Sequence, residues 1–225
     1  MSGSADRITL PGRFRGVVFD LDGTLVDSEP AWGKAKSIVA ARHGRSISAA
    51  QLSASVGRSM DDLVADVFAP GNRAAARAIE EEIFAEAATW LPQMRVAVPG
   101  AAAFLGDIHR LGLPVAICSS SPEHLIRDAL GQIGVLELVR LVVSADPMPQ
   151  RKPHPMPYLV TAERLGLRPG DLIAIEDALP GARSASAAGY FTIAVGAEVA
   201  ADPAPFDFCD LLAGDYAELR GLLDM

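Results

Sequence analysis

Gly16-Val17-Val18-Phe19-Asp20-Leu21-Asp22-Gly23-Thr24 is the stretch that decides the reading of this chain. A β-branched and aromatic run leads without a polar break into a carboxylate, as in a strand buried on both faces. Such strands belong to parallel sheets, and open parallel sheets bind ligands just beyond the carboxyl ends of their strands. Asp20 is placed at such an end. Asp22 follows two residues later, and Gly23 lets the chain turn so that both carboxylates face one site. Carboxylates that close repel, and both stay ionised only with a cation or an anchored positive group between them. Oxygen donors suit a hard divalent ion such as Mg²⁺.

Working outward, comparable apolar runs occur at 115–118, 141–143, 172–175 and 191–195. Helical stripes separate them. Phe104, Leu105, Ile108 and Leu111 share one face, stopped by Gly112; Leu125, Ile126, Ala129, Leu130 and Ile133 share another. The second helix is expected to take Ser121 as N-cap and Pro122 at its first position. Further helices are expected at 158–165 and 179–188. Alternating continuous-apolar strands and helices imply a parallel sheet covered on both faces.

Residues 29–95 break this alternation and carry helical patterns only. Trp32, Ala35 and Val39 share a face, and Gly44 ends that helix. Ser48 with Gln51 forms a capping-box pattern, and Ser59 with Asp62 resembles another cap ahead of Leu63, Val64, Val67 and Phe68. Ala75, Ile79, Ile83 and Ala87 mark a fourth helix. The expected fold class is α/β: a Rossmann-like, doubly wound parallel sheet core over 13–27 and 96–225, with an inserted all-helical cap domain over 28–95. Hinges are expected at 27–29 and 93–99.

Other polar groups sit at or just after strand ends. Ser119 follows one apolar run, Glu176-Asp177 closes another, and Lys152 lies in Arg151-Lys152-Pro153-His154-Pro155, where prolines stiffen the loop. Singly, these read as a turn serine, a solvated lysine and a helix-start acidic pair. Together they make one electrostatic design, with carboxylates for a divalent cation and lysine, serine and backbone N–H groups for an anion. Phosphoryl transfer needs this combination.

The motif set resembles the haloacid dehalogenase superfamily of phosphatases. It consists of Asp20-Leu21-Asp22-Gly23-Thr24-Leu25-Val26-Asp27-Ser28, then Ser119, then Lys152-Pro153-His154-Pro155, then Glu176-Asp177 with Gly181. Within the superfamily, Asp27-Ser28-Glu29-Pro30-Ala31-Trp32 and Ser119-Ser120-Ser121-Pro122-Glu123-His124 are similar to the β-phosphoglucomutase-like group, especially its 2-deoxyglucose-6-phosphatase-type sugar phosphatases. The resemblance implies Asp20 as nucleophile and Mg²⁺ ligand. It implies Asp22 as general acid/base and, through its main-chain carbonyl, a further ligand. It gives Ser119, Ser120 and Lys152 to the phosphoryl group, and Asp177 with Glu176 to the metal. Glu29, Trp32 and Arg58 are the candidates for reading the substrate, with Trp32 open between cap core and pocket wall. The mutase members carry a histidine where this chain has Trp32, and a cap arginine for a second phosphate where it has Met60. Both departures favour transfer to water. A β-phosphoglucomutase-like isomerase and a non-catalytic phosphate-binding protein are the alternatives.

Composition narrows the partners. The 225 residues are 50% hydrophobic and 21% charged, with a net charge of −8, which offers no basic footprint for nucleic acid or anionic lipid. The N-terminal residues show no apolar signal region, and no run approaches the roughly 20 residues of a membrane span. Two cysteines without a CxxC spacing fit reduced thiols, and Cys118 reads as buried packing. His43, His109 and His124 read as solvated, and His154 as a loop residue beside Lys152. A monomeric cytoplasmic enzyme acting on a small phosphorylated metabolite is the expectation.

Overall fold

A computed structural model describes residues 8–10, 12–55 and 60–224. Arg58 and the Ser59 cap lie outside them. The chain enters through β1 (Ile8–Thr9), and the buried run forms β2 (Gly16–Phe19). A turn leads to β3 (Val26–Asp27). In the described residues four helices follow: α1 (Glu29–Arg42), α2 (Ala49–Ala54), α3 (Met60–Phe68) and α4 (Arg73–Met94). After β4 (Val96–Ala97) come α5 (Ala101–Arg110), β5 (Val115–Ser119), α6 (Glu123–Gln132) and β6 (Leu141–Ser144). Then come α7 (Met156–Leu165), β7 (Leu172–Glu176), α8 (Leu179–Ala187) and β8 (Phe191–Val195). The chain closes with α9 (Ala197–Ala201), β9 (Leu211–Ala213), α10 (Tyr216–Leu222) and β10 (Leu223–Asp224).

The main sheet of the described residues is parallel throughout, in the order β6-β5-β2-β7-β8-β9. Side chains along each central strand alternate between two apolar layers. Val17, Phe19, Val115, Ile117, Ile173 and Ile175 face Phe104, Leu105 and Ile108 of α5 with Ile126 and Leu130 of α6. Val18, Ala116, Cys118 and Ala174 face Tyr158 and Ala162 of α7 and Ala185 of α8. This two-faced burial is why the strands read as unbroken apolar runs, and each large buried side chain contributes about 1.5–3 kcal/mol. From β2 the order runs outward through β5 and β6 on one side and through β7, β8 and β9 on the other. The chain therefore diverges around the carboxyl end of β2, which opens a crevice there.

The four-helix block has its own apolar core. Trp32, Ala35 and Val39 of α1 pack with Leu63, Val64 and Phe68 of α3 and with Ile79, Ile83, Phe84 and Ala87 of α4. Its two chain ends lie side by side, because β3 pairs antiparallel with β4 (Val26 with Ala97, Asp27 with Val96). Arg77 of α4 grips Asp146, just after β6, through two bonds of 2.7 and 3.0 Å. Glu80 (1% exposed) and Asp61 both pair with Arg151, at 3.1 and 3.3 Å. This ion-pair network holds the helices over the end of the sheet.

Local expectations are corrected at helix starts. Pro122, rather than Ser121, occupies the N-cap position of α6, because the Ser121 hydroxyl is engaged by Asp22. Ser28 occupies the N-cap position of α1, but its hydroxyl donates to Asp22 and makes no capping bond. The Ser48–Gln51 capping box forms in full. His43 is not purely solvated: it pairs with Glu82 at 3.0 Å and packs its ring edge-on against Phe68.

Candidate active site

The site grows from the end of β2. The Asp20 amide still donates to Ile175 of β7 at 2.9 Å, so the sheet ladder fixes the residue that carries the carboxylate. Asp20 Oδ1 accepts from Lys152 Nζ at 2.6 Å. The same ammonium donates to Glu176 Oε1 at 2.6 Å and to the Cys118 carbonyl at 2.8 Å, so one cation spans the ends of β2, β5 and β7. Glu176 (1% exposed) also accepts from the Tyr158 hydroxyl, and Thr24 Oγ1 donates to Asp177 Oδ1 at 2.9 Å.

Two glycines leave room for these carboxylates. Gly23 has φ +90°, and a Cβ there would lie 2.0 Å from Asp177 Oδ2. A Cβ on Gly181 would lie 2.0 Å from Glu176 Oε2. A Cβ at either position would displace the carboxylate, and at Gly23 the left-handed backbone adds strain.

Oxygens of Asp20, Glu176 and Asp177 lie within 4.8 Å of one another. Three carboxylates therefore face one ammonium, and the cluster is short of positive charge. Burial pushes the Asp20 carboxyl up to about 8 against the pull of Lys152, with Glu176 and Asp22 adding to the rise. Burial, then Asp20 and Glu176, hold Asp177 well above the carboxylate range. Burial alone would lower the Lys152 ammonium, but Asp20 and Glu176 overturn that and keep it charged. An all-oxygen donor set with surplus negative charge fits a hard divalent cation.

The Asp22 carboxylate stands outside this trio. Its Oδ1 accepts from the Ser28 hydroxyl and, at 3.1 Å, from Trp32 Nε1; its Oδ2 accepts from Ser121 Oγ at 2.8 Å. Donors from α1 and from the β5–α6 loop thus fix it from both sides. Ser119 is buried, and its Oγ accepts from the Ser121 amide at 3.1 Å. Cys118 is buried, and its thiol is pushed up to about 11 by burial, so it stays an unreactive part of the core.

A cavity of about 120 Å³ joins these groups. Asp20, Asp22, Ser119, Ser120, Lys152, Glu176 and Asp177 line it from the sheet side, and Glu29 and Trp32 from the helical side. Trp32 fills both of its expected roles: it is buried against Phe84 and also reaches the cavity. Met60 is on the wall as well. Lys36, Ser55 and Arg151 also line the cavity, and the sequence reading missed them. A signal existed for Lys36, since Glu29, Trp32 and Lys36 fall on one helical stripe. Arg151 gave none, because its partners Glu80, Asp146 and Asp61 come from three separate segments.

A doubly wound α/β core with carboxylates, a lysine and serines gathered at the ends of its central strands defines the class, an α/β enzyme with a polar site at the crevice of its sheet. The particular family follows from comparison. Residues 14–189 match the model of the haloacid dehalogenase-like hydrolases, and the chain belongs to that family. It is 30% identical to hexitol phosphatase B of Escherichia coli (strain K12), over 94% of this chain and 97% of that protein. It is 31% identical to validoxylamine A 7'-phosphate phosphatase of Streptomyces hygroscopicus subsp. limoneus, over 92% and 96%. The fold is that of β-phosphoglucomutase from Clostridium difficile, with a TM-score of 0.78 at 20% identity, covering 92% of this chain and 93% of that one. No helix of the described residues is long and apolar enough to cross a membrane.

Proposed function

We propose that this hydrolase is a Mg²⁺-dependent phosphatase of small phosphate monoesters, sugar or polyol phosphates, working through an aspartyl-phosphate on Asp20. The observation that carries the reading is the bridge of Lys152 between Asp20 and Glu176, with Asp177 beside it and Ser119 on the same wall. Asp20, Glu176, Asp177 and the Asp22 main-chain carbonyl would hold the cation. Once bound, it neutralises charge on the phosphoryl oxygens. Lys152, Ser119 and Ser120 bind those oxygens and orient the ester. An Asp20 oxygen attacks phosphorus, and the bond from phosphorus to the ester oxygen breaks. Asp22 gives its proton to the departing alcohol, then takes one from the water that hydrolyses the aspartyl-phosphate. Trp32 and Met60 on the wall favour water as the acceptor. In this reading 13–27 and 96–225 are the catalytic core, and 28–95 is a cap that excludes bulk water. The proposal includes a monomeric cytoplasmic enzyme, in keeping with two free cysteines.

A panel of phosphate esters assayed for inorganic phosphate release with Mg²⁺ tests this, ranked by kcat/KM. Release from several sugar or polyol phosphates is expected. No release from any ester overturns it, as does conversion of β-glucose 1-phosphate to glucose 6-phosphate without free phosphate.

Gly181→Ala should lower kcat/KM about 10- to 100-fold, the usual cost of disturbing a group that orients a ligand. The new methyl displaces a Glu176 carboxylate that Lys152 and Tyr158 hold in place. Alanine is the better helix former, so a loss of helix stability is not the cause. Phosphate release together with Tm checks it; an unaltered kcat/KM would show that Glu176 moves freely.

A further inference from the structure

The helical side of the cavity carries a charge pair that the proposed phosphoryl chemistry leaves unused. Lys36 is 6% exposed and lies on the wall, donating to Ser55 Oγ at 3.0 Å. Ser55, 5% exposed, donates its own hydroxyl to the Leu52 carbonyl at 2.8 Å. An ammonium has three donors, and among the described residues Ser55 is its one hydrogen-bond partner. Glu29 stands on the same stripe of α1, half-buried, on the same wall. No ion pair within 4.0 Å joins it to Lys36 among the described residues. Burial lowers the Lys36 ammonium against the pull of Glu29 and Asp22, and raises the Glu29 carboxyl against the pull of Lys36. Each group feels the other without satisfying it.

We infer that Glu29 and Lys36 together read the leaving group, and that they select a neutral polyhydroxylated one over an anionic one. This rests on the phosphatase reading and adds the residues that read the leaving group. A hydroxyl both donates and accepts, so neighbouring hydroxyls can donate to Glu29 and accept from Lys36 at once. Both buried charges are then satisfied without adding a third. A carboxylate or second phosphate would pair with Lys36 but meet Glu29 and Asp22. Arg151, which lines the cavity from the loop ahead of Lys152, is already engaged by Glu80, Asp146 and Asp61. Trp32, Phe84 and Met60 supply apolar surface for the carbon chain.

The test compares kcat/KM for glucitol 6-phosphate, 2-phosphoglycolate and p-nitrophenyl phosphate in the wild type, Lys36→Met and Glu29→Gln. The wild type should prefer glucitol 6-phosphate to 2-phosphoglycolate. In Lys36→Met the ratio of glucitol 6-phosphate to p-nitrophenyl phosphate turnover should fall about 10- to 100-fold, mostly through KM, as for loss of a charge-assisted hydrogen bond. Glu29→Gln, on a half-buried residue, breaks the same pair without relying on a core substitution and should shift the ratio in the same direction. Equal losses on all three esters would show a structural role and overturn the assignment, as would a wild-type preference for 2-phosphoglycolate. If the wild type turns over none of these three while other esters of the panel release phosphate, this assignment alone falls; if no ester releases phosphate, the phosphatase reading falls with it.

Discussion

Asp20→Asn should abolish phosphate release, lowering kcat by at least about 10⁴-fold, while leaving the fold as stable as before or more so. Loss of a nucleophile costs an enzyme factors of this size, because binding and electrostatic stabilisation alone remain. Asparagine keeps the shape of aspartate, but its amide is a poor nucleophile. The stability half follows from burial. Asp20 is buried, and its carboxyl is pushed up to about 8, so the folded state disfavours the charge that the substitution removes. Lys152 retains Glu176 and the Cys118 carbonyl as partners. Phosphate release and Tm measured side by side separate these effects. An active variant would sink Asp20 as nucleophile; an inactive one with a much lower Tm would make its role structural.

How far the residues announce the fold depends on whether the signal is local. The central strands were legible because each packs two apolar faces, but they extend further than their apolar runs. Ser119 pairs with Ser144, and Glu176 with Ala194, so the ladder continues into polar residues that the apolar pattern excludes. β3 and β4 are two residues each and pair across some 70 positions, so no window of sequence contains both. β9 is three residues long, too short for periodicity to register. α10 had a readable start, since Asp215 caps it by accepting from the Ala217 and Glu218 amides.

At the site, the residues with a strand end or a rigid loop behind them could be read. Those whose meaning depends on a distant partner could not. Ser121 looked like a helix cap, because its bond to Asp22 spans 99 positions. Lys36 gains its meaning only once the helical block is folded over the sheet, because the groups it shares the cavity with come from distant segments. The opposite also holds: Asp20 and Asp22 are neighbours in sequence, yet their carboxylates take different partners.

Removing Mg²⁺ should lower activity by at least about 10³-fold, and its effect on stability should depend on pH in a definite direction. Asp20 and Asp177 both sit above their ordinary carboxylate values when folded. Below about pH 3 each is mostly protonated whether folded or unfolded, and the buried cluster costs little. As pH rises toward about 8, the unfolded chain ionises freely while the folded chain resists, so these residues progressively erode the stability of the metal-free protein. A divalent cation reverses the balance by making the ionised form favourable, and its binding releases protons. Saturating Mg²⁺ should therefore raise Tm more at about pH 8 than at about pH 6, by the linkage between ligand binding and folding. Thermal melts at the two pH values, with chelator and with Mg²⁺, check this. A rise in Tm that is equal at both would show that Asp20 and Asp177 are not the groups that hold the ion. Activity that persists in chelator would show that Lys152 alone neutralises the site.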